Sequence, residues 1–107
     1  HLSPMFRGIL STIYIDLEKG INQSKVIKKR SDCYKKDDFV KIMKADSWIS
    51  TNDVINTNNC FISVCKSKYK NKIIILSTID NLIKGGAGQA VQNLNLKFNF
   101  PLKIGLL

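Results

Sequence analysis

Apolar residues along this chain recur at two periods, and the changes of period mark its elements. Ile9 to Leu17 is rich in β-branched residues, and Tyr14-Ile15-Asp16-Leu17 alternates, so a strand is predicted there. Gly20 breaks it. Asn22 or Ser24 is placed to cap a helix running to about Lys35, with Val26 and Ile27 among its few apolar contacts. Phe39 to Met43 reads as a short strand, followed by a loop from about Lys44 to Asn59. Cys60 to Lys66 and Lys72 to Thr78 read as two further strands. Lys70-Asn71 between them is expected to be a hairpin turn, because Asn tolerates the φ > 0 that such turns need. After the apolar run Ile73-Ile74-Ile75-Leu76 come a polar loop, a glycine turn and a last helix from near Gly86 to Phe98, with Pro101 closing the tail. No internal repeat or linker interrupts the series.

The turn into the last helix is the most informative stretch. Ala87, Ala90, Val91 and Leu94 fall at i, i+3, i+4 and i+7, one narrow face of an amphipathic helix. Gly85, Gly86 and Gly88 cluster where that helix begins. Glycine weakens a helix start, so three of them there indicate backbone that must come close to something. The run Asp80-Asn81-Leu82-Ile83-Lys84-Gly85-Gly86-Ala87-Gly88-Gln89-Ala90-Val91-Gln92-Asn93-Leu94-Asn95-Leu96 resembles the D-N-L-x-K-G-x-A-G-x-A-V-Q-N-x-N-L signature of the N-acetyl-γ-glutamyl-phosphate reductase family. The opening His1-Leu2-Ser3-Pro4-Met5-Phe6-Arg7-Gly8-Ile9-Leu10-Ser11-Thr12 is similar to the same family's H-L-x-P-M-x-R-G-I-L-x-T segment. The two matches lie at opposite ends of the chain, in the family's order, so the resemblance covers essentially the whole of it.

That resemblance implies an α+β fold, a largely antiparallel or mixed sheet with flanking helices, like part of the C-terminal catalytic domain of the glyceraldehyde-3-phosphate dehydrogenase-like superfamily. Residues 1–79 would belong to a catalytic and dimerisation domain. Residues 80–107 would be a turn and helix that pack on an NADP-binding domain outside this chain. The family's oxidoreductases act in arginine biosynthesis, converting N-acetyl-L-glutamyl 5-phosphate to N-acetyl-L-glutamate 5-semialdehyde with NADP as cofactor, through a cysteine nucleophile. The nucleophile is expected upstream of His1, which leaves no catalytic residue in this fragment and the fragment alone inactive.

Site residues follow from the same resemblance. Asn81 matches the position at which related folds hydrogen-bond the nicotinamide carboxamide, a task suited to an amide with both donor and acceptor; an Asn capping the strand-to-helix turn reads equally well. Gly85 and Gly88 would allow the helix to pack closely beside the cofactor. They form no phosphate-binding loop, since G-x-G-x-x-G would need a small residue at Val91. Arg7 is the candidate to fork onto a substrate carboxylate or phosphate, or else to make a structural ion pair. His1 is read as a strand-end residue lining the substrate cleft, because the family's catalytic histidine lies in an H-R-H-x-P-E segment not found here.

Composition narrows the picture. One compact domain fits 107 residues and a separate dinucleotide domain does not. An apolar fraction of 44% excludes a disordered chain, and no apolar run of 18 residues suggests a membrane span. His1-Leu2-Ser3-Pro4 resembles neither an initiation site nor a signal peptide, so the sequence reads as cut from something longer, cytoplasmic in location. The net charge of +9 invites a nucleic-acid reading, since Lys25, Lys28, Lys29, Arg30, Lys35 and Lys36 crowd one segment. No interleaved aromatics and no nucleic-acid-binding motif accompany them. Abundant Ile, Lys and Asn instead suggest an AT-rich coding bias, and no specific nucleic-acid partner is expected. The partners expected are a small-molecule substrate and, for the full-length enzyme, further copies of itself.

The cysteines fit neither a metal site nor local pairing. Cys33, Cys60 and Cys65 show no ligand spacing, and Cys60 and Cys65, five residues apart on one strand, face opposite sides. Cys33-Tyr34 imitates the family's G-C-[FY]-x-T nucleophile motif, but Asp32 replaces the glycine, so a surface cysteine is expected. Where the family has P-E-G-x-x-P-x-T and then G-S-N, this chain reads Lys44-Ala45-Asp46-Ser47-Trp48-Ile49-Ser50-Thr51 and Asn56-Thr57-Asn58. Asp46, Asn56 and, near the end, Asn99 thus replace family glycines, and they are the residue types that best tolerate left-handed backbone. Without the prolines this loop is expected to be looser. Two alternatives remain: an aspartate-semialdehyde dehydrogenase relative, whose G-H motif is absent at Gly8-Ile9, and a non-catalytic basic interaction module.

Overall fold

The alternating segments pair into one four-stranded sheet. In the computed structural model, which describes residues 4–106, the elements are β1 (Ile9–Asp16), α1 (Gln23–Tyr34), β2 (Val40–Ile42), β3 (Cys60–Lys66), β4 (Lys72–Ile79) and α2 (Gly88–Lys97). Strand order is β1-β4-β3-β2. β4 pairs antiparallel with both β1 and β3, while β2 runs parallel to β3. A parallel pair needs a long connection, which residues 43–59 supply. The expected α+β class with a mixed sheet and flanking helices is what forms.

Alternation sorts the strands into two faces. One carries Val64, Ile73 and Ile75, buried together, with Ile15, Leu17, Ile62 and the α1 residues Val26 and Ile27 packed on them. Register places Val64 opposite Ile75 and Lys66 opposite Ile73, so a slip of one residue would turn this whole set to the other face. Asn22 starts α1 from extended backbone, its side-chain oxygen accepting from the Lys25 N–H at 2.9 Å. Gln23 then donates to the Val64 carbonyl at 2.8 Å and pins the helix start to the sheet.

Over the upper part of the other face lies the loop that follows β2. Ser63 donates to the Ser47 carbonyl at 2.7 Å, and Ile49, Thr51, Val54 and Asn58 are buried. The loop is therefore tied down where looseness was expected. A single 3-10 turn, Thr51–Asp53, helps compact it, and Ile49 and Val54 add apolar burial. Lower on this face Tyr14 and Trp48 stay exposed.

Backbone geometry agrees with the glycine replacements. Asp46, Asn56 and Asn99, at φ 58°, 64° and 56°, are the non-glycine residues with positive φ among the described residues. Asn99 completes a Schellman ending to α2, with Phe100 N–H donating to the Asn95 carbonyl at 2.9 Å and Asn99 N–H to Leu96 at 3.3 Å. The β3–β4 hairpin departs from expectation. Asn71 does not adopt positive φ; its carbonyl accepts from the Leu17 N–H at 2.7 Å, which holds it in line with β4. The loop runs instead from Ser67 to Asn71 and closes through Lys72 N–H to the Tyr69 carbonyl at 3.2 Å.

The last helix forms in two pieces. A wide turn, Ile83–Ala87, carries i→i−5 bonds from Gly85 to Asp80 and from Ala87 to Leu82, both 3.0 Å, and leaves helical backbone at Gly86. α2 then buries Gly88, Gln92 and Asn95, a glycine and two amides. Its apolar face points outward: Ala87, Ala90, Val91 and Leu94 are all exposed, Leu94 at 49%. A helix docked by amides alone gains little apolar burial. Amide hydrogen exchange across α2 should therefore run well ahead of exchange across Ile73 to Leu76 in a monomeric sample of this chain. Equal protection of the two segments would show that α2 is docked as firmly as the core.

Candidate functional site

Sheet pairing gathers the chemistry-bearing segments at one end. Ile79, the last residue of β4, pairs with Ile9 at the start of β1 and with Cys60 at the start of β3. Arg7-Gly8, Asn56 and Asp80-Asn81 therefore converge from three distant stretches. Gly8, at φ 101°, is seated where an added Cβ would lie 2.5 Å from Thr51 Cβ, so only glycine allows this approach.

At the centre is Asp80, with no solvent exposure at all. Its Oδ1 accepts from the N–H groups of Leu82 at 2.8 Å and Ile83 at 3.1 Å, which starts the wide turn. Oδ2 accepts from Asn56 N–H at 2.8 Å. Arg7 Nε approaches the same oxygen to 3.2 Å as an ion pair, though its N–H is not aligned for a hydrogen bond. Burial pulls the Asp80 pKa upward, but the backbone donors of Asn56, Leu82 and Ile83 and the Arg7 charge together outweigh it. The net result is a carboxyl below its ordinary value.

Asn81 lies beside it. Its Oδ1 accepts from Gly8 N–H at 2.7 Å, which uses the amide oxygen and leaves the Nδ2 group uncommitted among the described residues. Arg7 is half-buried, and its Nη1 donates to Asn56 Oδ1 while Nε faces Asp80. Two of its three nitrogens thus face protein groups, and Nη2 has no partner among the described residues. Arg7 and Asn81 are brought together at this sheet end, with Arg7 engaged by Asn56 through Nη1 and facing Asp80 through Nε.

The two glycines separate. Gly85 is exposed in the turn, and a Cβ there would meet nothing closer than Ile79 Cδ1 at 3.4 Å. Gly88 is buried, and a Cβ there would strike Asn58 Oδ1 at 2.5 Å and Ile83 Cγ2 at 2.6 Å. This chain's own packing already demands glycine at 88. Next to it Gln92 Oε1 accepts from Asn58 Nδ2 at 2.9 Å and from Lys84 Nζ at 2.7 Å. His1 lies outside the described residues.

No nucleophile is assembled among the described residues. Cys33 is exposed on α1, Cys60 Sγ is 3.6 Å from Ser77 Oγ, and Cys65 Sγ is 3.6 Å from Ser63 Oγ. All three thiols are free. Among the described residues no His, Cys, Asp and Glu cluster could hold a metal ion, and no helix is long and apolar enough to cross a membrane.

Asp80 and Asn56 are the residues that sequence reasoning missed. A local signal existed for Asp80, since an acidic side chain two and three residues before bare helical N–H groups caps them. Nothing local announces its contacts with Arg7 and Asn56. Because its folded pKa is lowered, Asp80 contributes stability that is complete above the unfolded value of about 3.9 and is lost as pH falls through the folded one. The drop in denaturant midpoint between pH 5 and pH 3 should therefore be smaller in Asp80→Asn than in the parent chain. An equal drop would remove Asp80 from the acid response.

Comparison with known proteins shows the family. Residues 1–81 match the family model described as "Semialdehyde dehydrogenase, dimerisation domain". An N-acetyl-gamma-glutamyl-phosphate reductase from Vesicomyosocius okutanii is 46% identical over 99% of this chain and 30% of its own length. Another from Thermoanaerobacter sp. is 43% identical over 99% of the chain and 31% of its own length. A protein of Arabidopsis thaliana named as a probable chloroplastic N-acetyl-gamma-glutamyl-phosphate reductase is 38% identical over 100% of the chain and 27% of its own length. The chain thus spans about 30% of the length of the curated relatives it matches.

Proposed function

The chain belongs to the family of semialdehyde dehydrogenase dimerisation domains, and from that membership we propose that it is the C-terminal part of an NADP-dependent reductase of N-acetyl-L-glutamyl 5-phosphate. The observation that carries the reading is the convergence of Arg7, Asn56, Asp80 and Asn81 at one sheet end, within a sequence similar to such reductases over nearly all of its length. In this reading residues 1–79 contribute one wall of the active site, and residues 80–107 dock on a nucleotide-binding domain that meets the exposed face of Ala87, Ala90, Val91 and Leu94. The nucleophilic cysteine belongs to that other part of the enzyme.

The donors left over at the site suit a nicotinamide cofactor and an anionic substrate. Asn81, its oxygen tied to Gly8, presents Nδ2 to an acceptor such as a carboxamide oxygen. Gly85 keeps the turn free of side chain beside it, so a flat ring can come close. Gly88 acts indirectly, by letting α2 lie against Asn58. The Arg7 Nη2 group offers its two charged N–H donors to a carboxylate or phosphate oxygen, and the contacts of Nε and Nη1 fix their direction. For His1, which lies outside the described residues, the substrate-side role rests on the family resemblance alone. A nicotinamide supplies hydride when bound; these residues orient and screen it.

Oligomerisation uses the open sheet face. Tyr14, Ile74, Leu76 and Cys65 lie there beside Trp48, which is 94% exposed, and a second copy would cover them. We assign the enzyme to the cytoplasm, where free thiols persist, although the Arabidopsis relative is named as chloroplastic.

The complete protein carrying this chain should oxidise NADPH in the presence of N-acetylglutamyl phosphate, while the 107-residue chain alone should not, because group-transfer catalysis without its nucleophile loses most of its rate. A complete protein that turns over aspartyl phosphate instead would overturn the substrate assignment. For the sheet face, Trp48→Asp should lower the molecular mass of the complete protein measured by light scattering. An unchanged mass would place the interface elsewhere.

A further inference from the structure

We propose that Asp80 is a positioning residue that sets the direction of the donors at Asn81 and Arg7, an inference that rests on the cofactor reading of Asn81. A fully buried carboxylate is costly unless its oxygens are satisfied, and Asp80 meets that demand in an unusual distribution. Its partners come from three separate segments: Arg7 before β1, Asn56 in the loop before β3, and Leu82 and Ile83 after β4. No other side chain described at this end of the sheet touches all three.

The consequence for Asn81 is geometric. Its backbone is fixed on both sides, by Asp80 at the end of β4 and by the Leu82 and Ile83 N–H groups bound to Asp80 Oδ1. Its side chain is fixed by Gly8 N–H, and Gly8 adjoins Arg7, which Asp80 holds. One carboxylate therefore controls both the stem and the tip of the Asn81 amide. Arg7 is controlled twice, directly through Nε and through Asn56, whose N–H binds Asp80 and whose side-chain oxygen takes Nη1. An amide at position 80 keeps one oxygen for Leu82 and Ile83 but turns an NH2 group toward Asn56 N–H and Arg7, which loosens Arg7 and, through Gly8, the tip of Asn81 while leaving both donors chemically intact.

The test is a double-mutant cycle in the complete protein, read as the NADPH dissociation constant by ligand fluorescence at a temperature well below unfolding. Asn81→Ala should weaken NADPH by about three- to tenfold, the worth of one hydrogen bond. Asp80→Asn should weaken it by a similar factor, and adding Asp80→Asn to Asn81→Ala should cost little more, because the two act on one contact. A purely structural Asp80 would lower the melting temperature yet leave the dissociation constant of the folded protein unchanged, or would add independently to Asn81→Ala. Either result overturns the proposal while the cofactor reading stands. No effect of Asn81→Ala would remove the cofactor reading and the proposal together. If Asp80→Asn does not fold, Asp80→Glu keeps the charge but displaces the oxygens, and the same cycle is run with it.

Discussion

A carboxylate with no exposure to water constrains everything around it, and Asp80 is that group. Its charge is stable in the interior because main-chain N–H groups supply fixed donors and Arg7 supplies the opposite charge. Those donors cannot be replaced by side-chain rearrangement, since they belong to the backbone of Asn56, Leu82 and Ile83. The entry to β1, the loop before β3 and the exit from β4 must then keep one mutual arrangement. Sheet pairing brings the segments near one another, and the carboxylate fixes how they meet. A fully buried carboxylate is costly unless its oxygens are satisfied, so this end of the sheet is specified more tightly than its modest apolar burial would suggest.

The C-terminal helix shows a second constraint, an inversion of the usual rule. α2 turns Gln92 and Asn95 inward and Val91 and Leu94 outward. The inward amides are not stranded. Gln92 receives Asn58 and Lys84, and Asn95 donates to the carbonyls of Leu102 at 3.1 Å and Ile104 at 2.9 Å. A polar contact of this kind selects an orientation more than it contributes free energy, because folding exchanges it for hydrogen bonds to water. The helix is thus held in one direction by amides while its apolar face stays available.

How much of this was legible in the sequence depends on whether the cause was local. Strand periods gave β1, β3 and β4 to within a residue or two, and Asn22 announced its own capping role because an N-cap acts over three residues. Glycines at 85, 86 and 88 announced a close approach, and it occurs at Gly88; what approaches, Asn58 and Ile83, was invisible from the spacing. Asn71 looked like a turn residue, and its pairing with Leu17 across the sheet overrode that preference. Arg7 and Asn81 stood out through their motifs, whereas Asp80 and Asn56 gained their roles from contacts spanning 73 and 24 residues, Asp80 with Arg7 and Asn56 with Asp80. Tertiary contacts of that range leave no periodic trace.

The left-handed positions carry the argument one step further. Asp46, Asn56 and Asn99 stand at left-handed positions that glycine adopts more easily, and on backbone preference alone each is a small loss. At two of the three the side chain returns something glycine cannot. Asp46 Oδ1 accepts from Lys66 N–H at 2.7 Å and from Gln23 at 3.0 Å, tying the loop to the end of β3 and to α1. The Lys66 backbone donor is the main reason its carboxyl is held below the usual range. Asn56 gives its side-chain oxygen to Arg7 and its N–H to Asp80. A composition rich in Asn and Lys has therefore been absorbed where a polar side chain at positive φ can reach a waiting donor. The turns at Asp46 and Asn56 are tight because those residues are part of the network that the turns hold.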